Sequence, residues 1–358
     1  MSEADEALQS PDVNLCPGPE YGVGQREWQG IPGIERTPTG RLWATWYSGG
    51  TGEGADNYVL LVRSDDDGST WTEPLVVIDP PGKVRAFDPA VWMDPAERLW
   101  LFWAQSYELF DGRAGVWAIT SGNADGEASQ WSEPRRICNG IMLNKPTVLS
   151  TGQWLMPAAI WARSTRQDMG AERYSNVFVS SDQGATFNLL GQADVPDRVF
   201  DEHMIVERKN GSLWMLVRTS YGIGESISED RGKNWSPGRD SGLGGPCSRF
   251  FLRRLQSGRL LLVNHRDFTG RNNLAAMLSD DDGQSWPHSL MLDTRDKVSY
   301  PDGVEGPDGT IYIIYDHQRT DAREILLAVV TEEDILAGEL QSPLCRLQEI
   351  VSRNPRSI

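Results

Sequence analysis

The chain of 358 residues has 34 Lys and Arg against 51 Asp and Glu, a formal net charge of −17, with 39% hydrophobic and 24% charged residues. This composition is that of a globular protein rather than a disordered chain, and its acidity argues against nucleic-acid or anionic-membrane partners, which need clustered Lys or Arg. No apolar run approaches the ~18 residues of a membrane span, so we expect no membrane insertion. The 14 Trp, 36 Gly and 21 Pro favour a turn-rich all-β chain.

The N-terminal stretch MSEADEALQSPD is acidic and polar, without the basic and apolar regions of a signal peptide. We predict a flexible tail over residues 1–14 and a single domain over residues 15–358. The expected location is the cytoplasm, or outside the cell if a leader has been removed. The cysteines are far apart, without a zinc or disulfide pattern, and favour a reducing compartment; they are Cys16, Cys138, Cys247 and Cys345.

A short motif, S-x-D-x-G-x-x-[W/F], recurs along the chain. Four copies lie at 64–71, 180–187, 228–235 and 279–286, with a degenerate fifth near 121–131. A calcium-loop interpretation fails, because the first and twelfth loop positions around Gly68 would be Arg63 and Pro74, which are not ligands. The motif instead predicts a hairpin turn, in which Asp caps backbone amides and Gly takes a positive φ.

A second repeat combines a turn with an apolar strand. Its copies begin at residues 40, 97, 152, 211, 258 and 309, and are therefore 57, 55, 59, 47 and 51 residues apart. This period with short strands is typical of a β-propeller. The six copies predict an all-β, six-bladed β-propeller.

The first strand of each propeller blade lines the central axis, and the starts of these strands converge on one face. Counting nine residues back from each turn gives Ile31, Asp88, Leu143, Glu202, Arg249 and Tyr300, with Lys145, His203 and Asp302 as neighbours. Counting seven forward gives Tyr47, Ala104, Ala159, Arg218, His265 and Asp316. Polar and titratable residues concentrate in these slots, which predicts a catalytic or ligand-binding face.

The repeated motif is similar to the Asp-box, or BNR repeat, of the sialidase (neuraminidase) superfamily. This resemblance covers nearly the whole chain and implies a six-bladed propeller that uses a Tyr nucleophile activated by Glu, an Asp acid/base and three carboxylate-binding Arg. The segment DEHMIVERKNGSLWMLVR resembles the one with the activating Glu and central Arg, and places Glu202 and Arg218 there. The segment SYPDGVEGPDGTIYIIY resembles the nucleophile segment and offers Tyr300.

Two arginine positions of the resemblance are not matched. The Arg-Ile-Pro of the first blade reads Gly30-Ile31-Pro32, and the strand before the last Asp-box has no arginine at 275–277. We therefore expect two of the three guanidiniums to be missing, which argues against sialic acid because bidentate Arg–carboxylate contacts are strong and directional. The candidate substitutes are Arg113, Lys145, Arg249 and Arg319.

The acid/base position is open. The loop GGTGEGADNY offers Glu53 and Asp56, and Asp88 in RAFDP is an alternative. Sugar hydroxyls are expected to bind His203, His265, Asp302 and Asp316, and Trp28 or Trp46 to stack on a sugar face. A zinc site of His203, His265 and His317 lacks a supporting spacing, so we predict no metal and no cofactor.

Three functions are consistent with these residues. The first is a sialidase-like exo-glycosidase that hydrolyses a terminal sugar, neutral or anionic, with Tyr300 as nucleophile and Glu202 as its base. The second is a lyase of uronic-acid polysaccharides, with Tyr300 or His265 as base and Arg218 or Arg249 neutralising the carboxylate. The third is a glycan-binding propeller without catalysis. Each implies a carbohydrate partner, and the oligomeric state is left open.

Overall fold

The computed structural model describes residues 3–111, 113–126, 130–161 and 172–356. Within them, 25 strands form six antiparallel sheets. The first blade contains β1 Val13–Asn14, β2 Gln29–Arg36, β3 Leu42–Ser48, β4 Tyr58–Ser64 and β5 Val76–Ile78, and the second contains β6 Val84–Met93, β7 Leu99–Tyr107, β8 Gly115–Ser121 and β9 Arg135–Asn139. The third contains β10 Thr147–Val148, β11 Trp154–Ala159, β12 Ser175–Ser180 and β13 Asn188–Ala193, and the fourth contains β14 Met204–Glu207, β15 Leu213–Thr219, β16 Gly222–Ser228 and β17 Arg239–Asp240. The fifth contains β18 Phe251–Arg254, β19 Leu260–His265, β20 Leu274–Ser279 and β21 His288–Asp293, and the sixth contains β22 Val298–Glu305, β23 Ile311–His317, β24 Glu324–Val330 and β25 Arg346–Arg353. The prediction of an all-β, six-bladed propeller is confirmed.

Helices are few and short in the described residues. Three 3-10 helices span Glu3–Leu8, Pro19–Tyr21 and Val23–Gln25, and one α-helix, α1, spans Glu332–Ala337. No described helix combines the length and the apolar character needed to cross a bilayer.

The second strand of each blade accounts for the apolar repeat. Every residue of β3, β15 and β23 is buried, because a propeller blade packs on both faces against its neighbours. These strands therefore read as continuous apolar runs instead of alternating patterns.

Among the residues that the structure describes, no blade combines a strand from the N-terminal part of the chain with strands from the C-terminal part. The first blade instead takes β1 as a fifth, outer strand beside β5. Side chains join the first and sixth blades: Arg26 Nη1 donates to Ser352 Oγ at 3.1 Å, and Asn354 Nδ2 donates to the Arg26 carbonyl at 2.7 Å. Tyr312 OH donates to Asp67 Oδ1 at 2.9 Å.

The four Asp-boxes form the same hairpin turn. In the third copy Asp230 Oδ1 accepts from Ser228 Oγ at 2.9 Å and from the Asn234 amide at 2.8 Å, while the Gly232 amide donates to Ser228 Oγ at 2.8 Å. The box follows the third strand of its blade. Since strands alternate in direction, all boxes lie on the face opposite the starts of the inner strands.

The N-terminal segment differs from the predicted flexible tail. Ala7 in the 3-10 helix is fully buried, and Gln105 Nε2 of the second blade donates to the Ala7 and Gln9 carbonyls at 2.9 and 2.8 Å. Together with the β1–β5 pairing, these contacts dock residues 3–14 on the first two blades. A polar sequence did not reveal this docking, because the partners are backbone carbonyls and one small apolar residue.

Candidate active site

The inner strands begin with backbone irregularities. Ile31, Asp88, Glu202 and Tyr300 have φ angles of 62°, 46°, 42° and 55°, in the left-handed region that non-glycine residues seldom occupy. The register shifts at this point in the first, second and sixth blades. These are four of the six positions predicted to face the channel, and such strained backbone clusters at functional sites.

Tyr300, Glu202 and Arg218 meet from the sixth and fourth blades. Tyr300 OH donates to Glu202 Oε1 at 2.8 Å. Arg218 Nη1 lies 2.6 Å from the same carboxylate oxygen and 2.8 Å from the Tyr300 hydroxyl. All three residues are buried. The structure therefore brings the candidate nucleophile and its base together, with one guanidinium bridging them.

Burial and neighbouring charges have opposing effects on the ionisation of Tyr300 and Arg218. Burial, followed by the Glu202 carboxylate, raises the pKa of the Tyr300 phenol, while Arg218, Arg319 and Arg271 act in the opposite direction. Burial also disfavours the charge on Arg218, but Glu202 and Tyr300 outweigh it and raise the pKa of Arg218 above its ordinary value. The phenol is thus neutral at rest and needs a base to accept its proton during attack.

Two further guanidiniums lie over the Tyr300 ring. Arg319 Cζ is 4.3 Å and Arg271 Cζ is 5.4 Å from the ring centroid. Arg319 is among the residues predicted from the sequence, whereas Arg271 is not, because the resemblance points to the strand at 275–277 for the last arginine. Arg271 lies in the loop just before that strand, and its Nη2 donates to the Cys247 carbonyl at 3.0 Å. The two positions named from the resemblance lack arginine, yet three guanidiniums, of Arg218, Arg271 and Arg319, lie at the phenol.

Asp88 is buried at the same end of the channel. Burial, followed by the charges of Glu202 and Glu53, raises the pKa of Asp88 to about 7, against the opposing effect of Arg85 and Arg249. Asp88 is therefore partly protonated near neutral pH and can donate a proton or a hydrogen bond.

The glycine-rich loop places its two carboxylates differently. The Glu53 side chain is 45% exposed at the rim, and its Oε1 lies 3.8 Å from Arg319 Nη1. The Asp56 carboxylate instead acts on Asp79: burial raises the pKa of Asp79, and the negative charge of Asp56 raises it further. Of the three acid/base candidates, Glu53 and Asp88 have contacts or charge effects that reach the Tyr300 group.

Lys145 and Arg249 belong to an ion-pair cluster farther along the channel. Lys145 Nζ lies 3.4 Å from both Glu35 and Asp302 and donates to two backbone carbonyls. Arg249 Nη2 lies 3.4 Å from Asp302 Oδ1. Asp302 also accepts from the Ile34 amide at 2.8 Å. Lys145, Arg249 and Asp302 are thus paired within this cluster, apart from the group of Tyr300, Glu202 and Arg218. That Lys145 and Arg249 clamp a substrate anion, and that Asp302 binds sugar, stays a prediction.

A cavity of about 630 Å³ opens at the other mouth of the channel. Its lining includes Glu207 and Arg253 from the inner strands of the fourth and fifth blades, and Lys145, which precedes the inner strand of the third blade. Tyr300 and Glu202 are not among its lining residues, so this cavity is separate from the candidate active site.

Asp316 supports the site from the second strand of the sixth blade. Its Oδ2 accepts from the Ile31 amide at 2.8 Å and from Arg319 Nε at 2.9 Å. Its Oδ1 accepts from Ser299 Oγ at 2.8 Å. Asp316 thereby holds both a strained backbone amide and a guanidinium, a role that the repeat frame alone does not specify.

The two histidines predicted to bind sugar are neutral. His203 Nε2 is 2.7 Å from the Asn176 carbonyl, and His265 Nδ1 is 2.7 Å from the Asn272 carbonyl. Burial lowers the pKa of each to about 4. His265 lies near Arg271 at the edge of the site, whereas His203 packs against the third blade.

Arg113 and Trp46 lie away from the site, which corrects both predictions. Arg113 forms ion pairs with Asp5 and Asp111 beside the N-terminal helix. Trp46 is 1% exposed, and its Nε1 donates to Gln29 Oε1 at 3.1 Å. A side chain enclosed between blades cannot stack on a sugar.

The histidines offer no shared metal site. His317 Nδ1 pairs with Glu324 Oε2 at 2.7 Å, a partner distinct from those of the other two. The described ranges contain no group of three or more His, Cys, Asp or Glu side chains arranged to hold a metal ion.

Aromatic residues missed by the sequence reasoning flank Arg218. Arg218 Cζ lies 5.0 Å from the Phe200 ring, and Phe200 packs edge-on against Trp161 with ring centroids 4.8 Å apart. Trp161 also contacts Phe110 at 4.9 Å and Phe87 at 5.9 Å. These rings form an apolar wall beside the polar site, and they come from loops and strands that share no spacing.

A six-bladed propeller with Asp-boxes on one face and a Tyr–Glu–Arg group on the other has the architecture of the sialidase superfamily. The family model of the BNR repeat-like domain matches residues 40–313, and the chain belongs to this family of sialidase-superfamily repeat proteins.

Relatives agree with this assignment. The chain is 26% identical over 325 residues to a sialidase of Micromonospora viridifaciens, covering 80% of this chain and 49% of that protein. It therefore spans about half the length of this relative. Hadza microbial sialidase Hz136 aligns with a TM-score of 0.70 at 20% identity, over 87% of this chain and 67% of that one. A leech intramolecular trans-sialidase aligns with a TM-score of 0.70 at 16% identity, over 92% and 71%. At these identities the structural likeness establishes the fold.

Proposed function

We propose that the protein is a sialidase-like exo-glycosidase that hydrolyses a terminal sugar through Tyr300. The observation that carries this proposal is the hydrogen bond of 2.8 Å from Tyr300 OH to Glu202 Oε1, bridged by Arg218. A buried phenol bonded to a carboxylate matches the need of a tyrosine nucleophile for a base. The relatives described above, two sialidases and an intramolecular trans-sialidase, support the same reaction class.

The first step joins sugar and enzyme. The Tyr300 phenolic oxygen attacks the anomeric carbon while its proton passes to Glu202. The bond to the leaving oxygen breaks, and that oxygen takes a proton from Glu53 at the exposed rim. This is the tyrosine exception to the usual pair of carboxylates.

The second step releases the sugar. Glu53, now ionised, accepts a proton from a water molecule as that water attacks the anomeric carbon. The bond to the Tyr300 oxygen breaks, and the phenol recovers its proton from Glu202. The protonated fraction of Asp88 donates a hydrogen bond to a sugar hydroxyl during both steps.

Replacing the nucleophile tests the proposal. Tyr300→Phe should reduce kcat/KM for a chromogenic sialoside by at least about 10³-fold, in line with the loss of an essential nucleophile. The matched control is Tyr312→Phe, whose hydroxyl bonds to Asp67 on the opposite face, and it should retain activity. Full activity of Tyr300→Phe, with circular dichroism showing both variants folded, contradicts the assignment.

The same screen separates the two alternatives. Uronate polymers incubated with the protein would give an unsaturated product with new ultraviolet absorbance if it is a lyase. Binding across a glycan panel without turnover of any sialoside or other glycoside would indicate a binding propeller.

A further inference from the structure

The cavity at the mouth opposite Tyr300 has the size of a ligand site. Its volume is about 630 Å³, and pockets for small organic ligands range over about 300–1,000 Å³. Four neighbouring blades, the second to the fifth, contribute to its wall. Their apolar lining residues include Met93, Val148, Met204 and Phe251. Since the nucleophile and its base do not line this cavity, the proposed reaction does not use it.

Positive side chains outnumber negative ones in the wall. The lining cations are Lys145, Arg208, Lys209, Arg253 and Arg254. The lining carboxylates are Asp94 and Glu207. Cations remain in excess when the charges that act on this wall are added, which are Arg98, Arg249, Glu35, Asp302, Asp282 and the more distant Glu305. The local charge is therefore opposite in sign to the net charge of −17 of the chain.

Both lining carboxylates are already hydrogen-bonded. Asp94 Oδ2 accepts from Arg98 Nε at 2.7 Å and from Trp100 Nε1 at 2.8 Å. Glu207 accepts from the Ser150 amide at 2.7 Å and from the Ser150 hydroxyl at 2.8 Å. These donors hold the two carboxylates in the wall and offset part of their charge, so the cavity itself favours an anion.

Two guanidiniums of the wall have no carboxylate partner. In the part of the chain that the structure describes, neither Arg208 nor Arg253 forms an ion pair. Arg208 Cζ lies 4.5 Å from the centroid of the Trp214 ring, and its buried Nε has no hydrogen-bond partner among the described residues. Burial raises the pKa of Glu305, and Arg253 acts on it in the opposite direction through its charge. Guanidiniums with unused donors bind oxyanions strongly.

The inner edge of β14 adds backbone donors. The Ile205 carbonyl accepts from Thr147 Oγ1 at 2.6 Å, and the Glu207 carbonyl accepts from Arg254 Nη2 at 2.9 Å. Both carbonyls therefore face neighbouring blades and not β15. In an antiparallel strand the N–H and C=O of one residue point to the same side, so the amides of Ile205 and Glu207 also face the channel. Such amides bind oxyanions, whereas carbonyls and the Thr147 hydroxyl accept from hydroxyl groups.

We propose that this cavity is a second, non-catalytic binding site for a small hydroxylated acid, either a sugar carboxylate or a sugar phosphate. Arg208 and Arg253 bind the oxyanion, and the backbone of β14 binds the hydroxyl groups. The site goes beyond the proposed glycosidase function and does not depend on it, because it lies at the opposite mouth of the channel.

Calorimetry with three probes of one skeleton tests the site. The probes are glucuronate, glucose 6-phosphate and neutral glucose, at a single ionic strength. The wild-type protein should bind at least one of the two acids at least about tenfold more tightly than glucose, the effect of hydrogen bonds to a charged group. The acid that binds more tightly identifies the ligand as a carboxylate or a phosphate. Arg253→Ala should remove this preference and leave glycoside turnover unchanged.

Two further variants complete the test. Val148→Trp removes no charge, but Val148 is 40% exposed and lines the cavity, so the larger side chain should abolish binding of the acids by filling the space. Arg259→Ala is the matched control. Arg259 follows the same inner strand as Arg253, but it pairs with Asp280 and Glu332 and does not line the cavity. Its affinity for the acids should equal that of the wild type.

Three results overturn the inference. The first is a wild-type protein that binds neither acid more tightly than glucose. The second is acid binding by Arg253→Ala that equals that of the wild type while circular dichroism shows the variant folded; if Arg253→Ala does not fold, unchanged binding by Val148→Trp decides in the same way. The third is acid binding that is lost in Arg271→Ala and kept in Arg253→Ala, which would place the acid beside Tyr300. None of these results bears on the glycosidase proposal, which is tested by the turnover of Tyr300→Phe.

Discussion

The ionisation of the Asp88 side chain depends on the left-handed backbone conformation of this residue at the start of its inner strand. Its φ of 46° places the side chain among Glu202, Glu53 and the channel arginines. Aspartate tolerates this left-handed conformation better than most residues. Burial then raises its pKa to about 7, so a single residue couples local backbone geometry to the charge of the site.

Asp88→Asn should change how stability depends on pH. A folded-state pKa raised above the unfolded value means that the contribution of Asp88 is fully present below about pH 4 and is lost as pH rises through about 7. Relative to wild type, the variant should therefore gain stability between these values, by up to about 4 kcal/mol. Urea unfolding at pH 4, 5.5, 7 and 8.5 measures the difference.

The control for this variant is Asp267→Asn. Asp267 also has a left-handed φ, of 48°, but its side chain is 87% exposed. Its difference from wild type should stay flat across the same pH series. A flat difference for Asp88→Asn as well would show that the Asp88 carboxyl titrates normally.

The Asp-box is the repeated hairpin turn that connects the third strand of a blade to the fourth. The serine is buried and bonds both to the aspartate and to the glycine amide, as in Ser228 with Asp230 and Gly232. Hydrogen bonds from the Asn234 amide and side chain lower the pKa of Asp230 to about 2. The glycine faces the neighbouring blade: a Cβ on Gly283 would lie 2.4 Å from Trp214 Cζ3. The box therefore serves packing, on the face away from the site.

Ser228→Ala should destabilise the fold without changing the active site. It leaves the buried Gly232 amide without its acceptor, at a cost of about 1–2 kcal/mol in the free energy of unfolding. Ser220→Ala, an exposed serine of the same blade, should change it by less than about 0.5 kcal/mol. Denaturant unfolding measures the change in stability of both variants, and kcat/KM for a glycoside that the wild-type protein hydrolyses measures any change at the active site. A drop in kcat/KM for folded Ser228→Ala would assign the box a role in the site.

At the scale of the whole molecule, closure of the ring creates the site. Tyr300 and Glu202 are 98 residues apart, and the Ile31 amide and Asp316 are 285 apart. The N-terminal segment adds to this assembly, because it donates β1 to the first blade and backbone acceptors to Gln105 of the second. The segment therefore ties two neighbouring blades.

Deleting residues 1–14 should lower the free energy of unfolding. The buried Gln105 amide loses both of its acceptors, a loss of about 1–3 kcal/mol. Ala7→Asp should act in the same direction because Ala7 is fully buried, whereas Leu8→Asp at a 42% exposed position should not. Thermal unfolding gives the Tm of the deletion, of Ala7→Asp and of Leu8→Asp for comparison with that of the wild type. An unchanged Tm for the deletion would support the flexible tail predicted from the sequence.

Local patterns in the sequence determined the fold class and the blade count. Turn chemistry and apolar strands act over a few residues, so their spacing of 47–59 residues is visible without the structure. The same frame located Glu202, Arg218 and Tyr300, because every blade presents equivalent positions to the axis.

Only the tertiary structure decided which charged groups share the site. Lys145 and Arg249 fit the frame, yet pair with Asp302 and Glu35 farther along the channel. Arg271 and Arg319 come from loops, whose side chains follow no repeat, and reach Tyr300 by contacts between distant segments. The sequence shows that Gly30 lacks a side chain. That the Arg319 side chain lies against Gly30 depends on closing the ring, because these residues belong to the sixth and first blades.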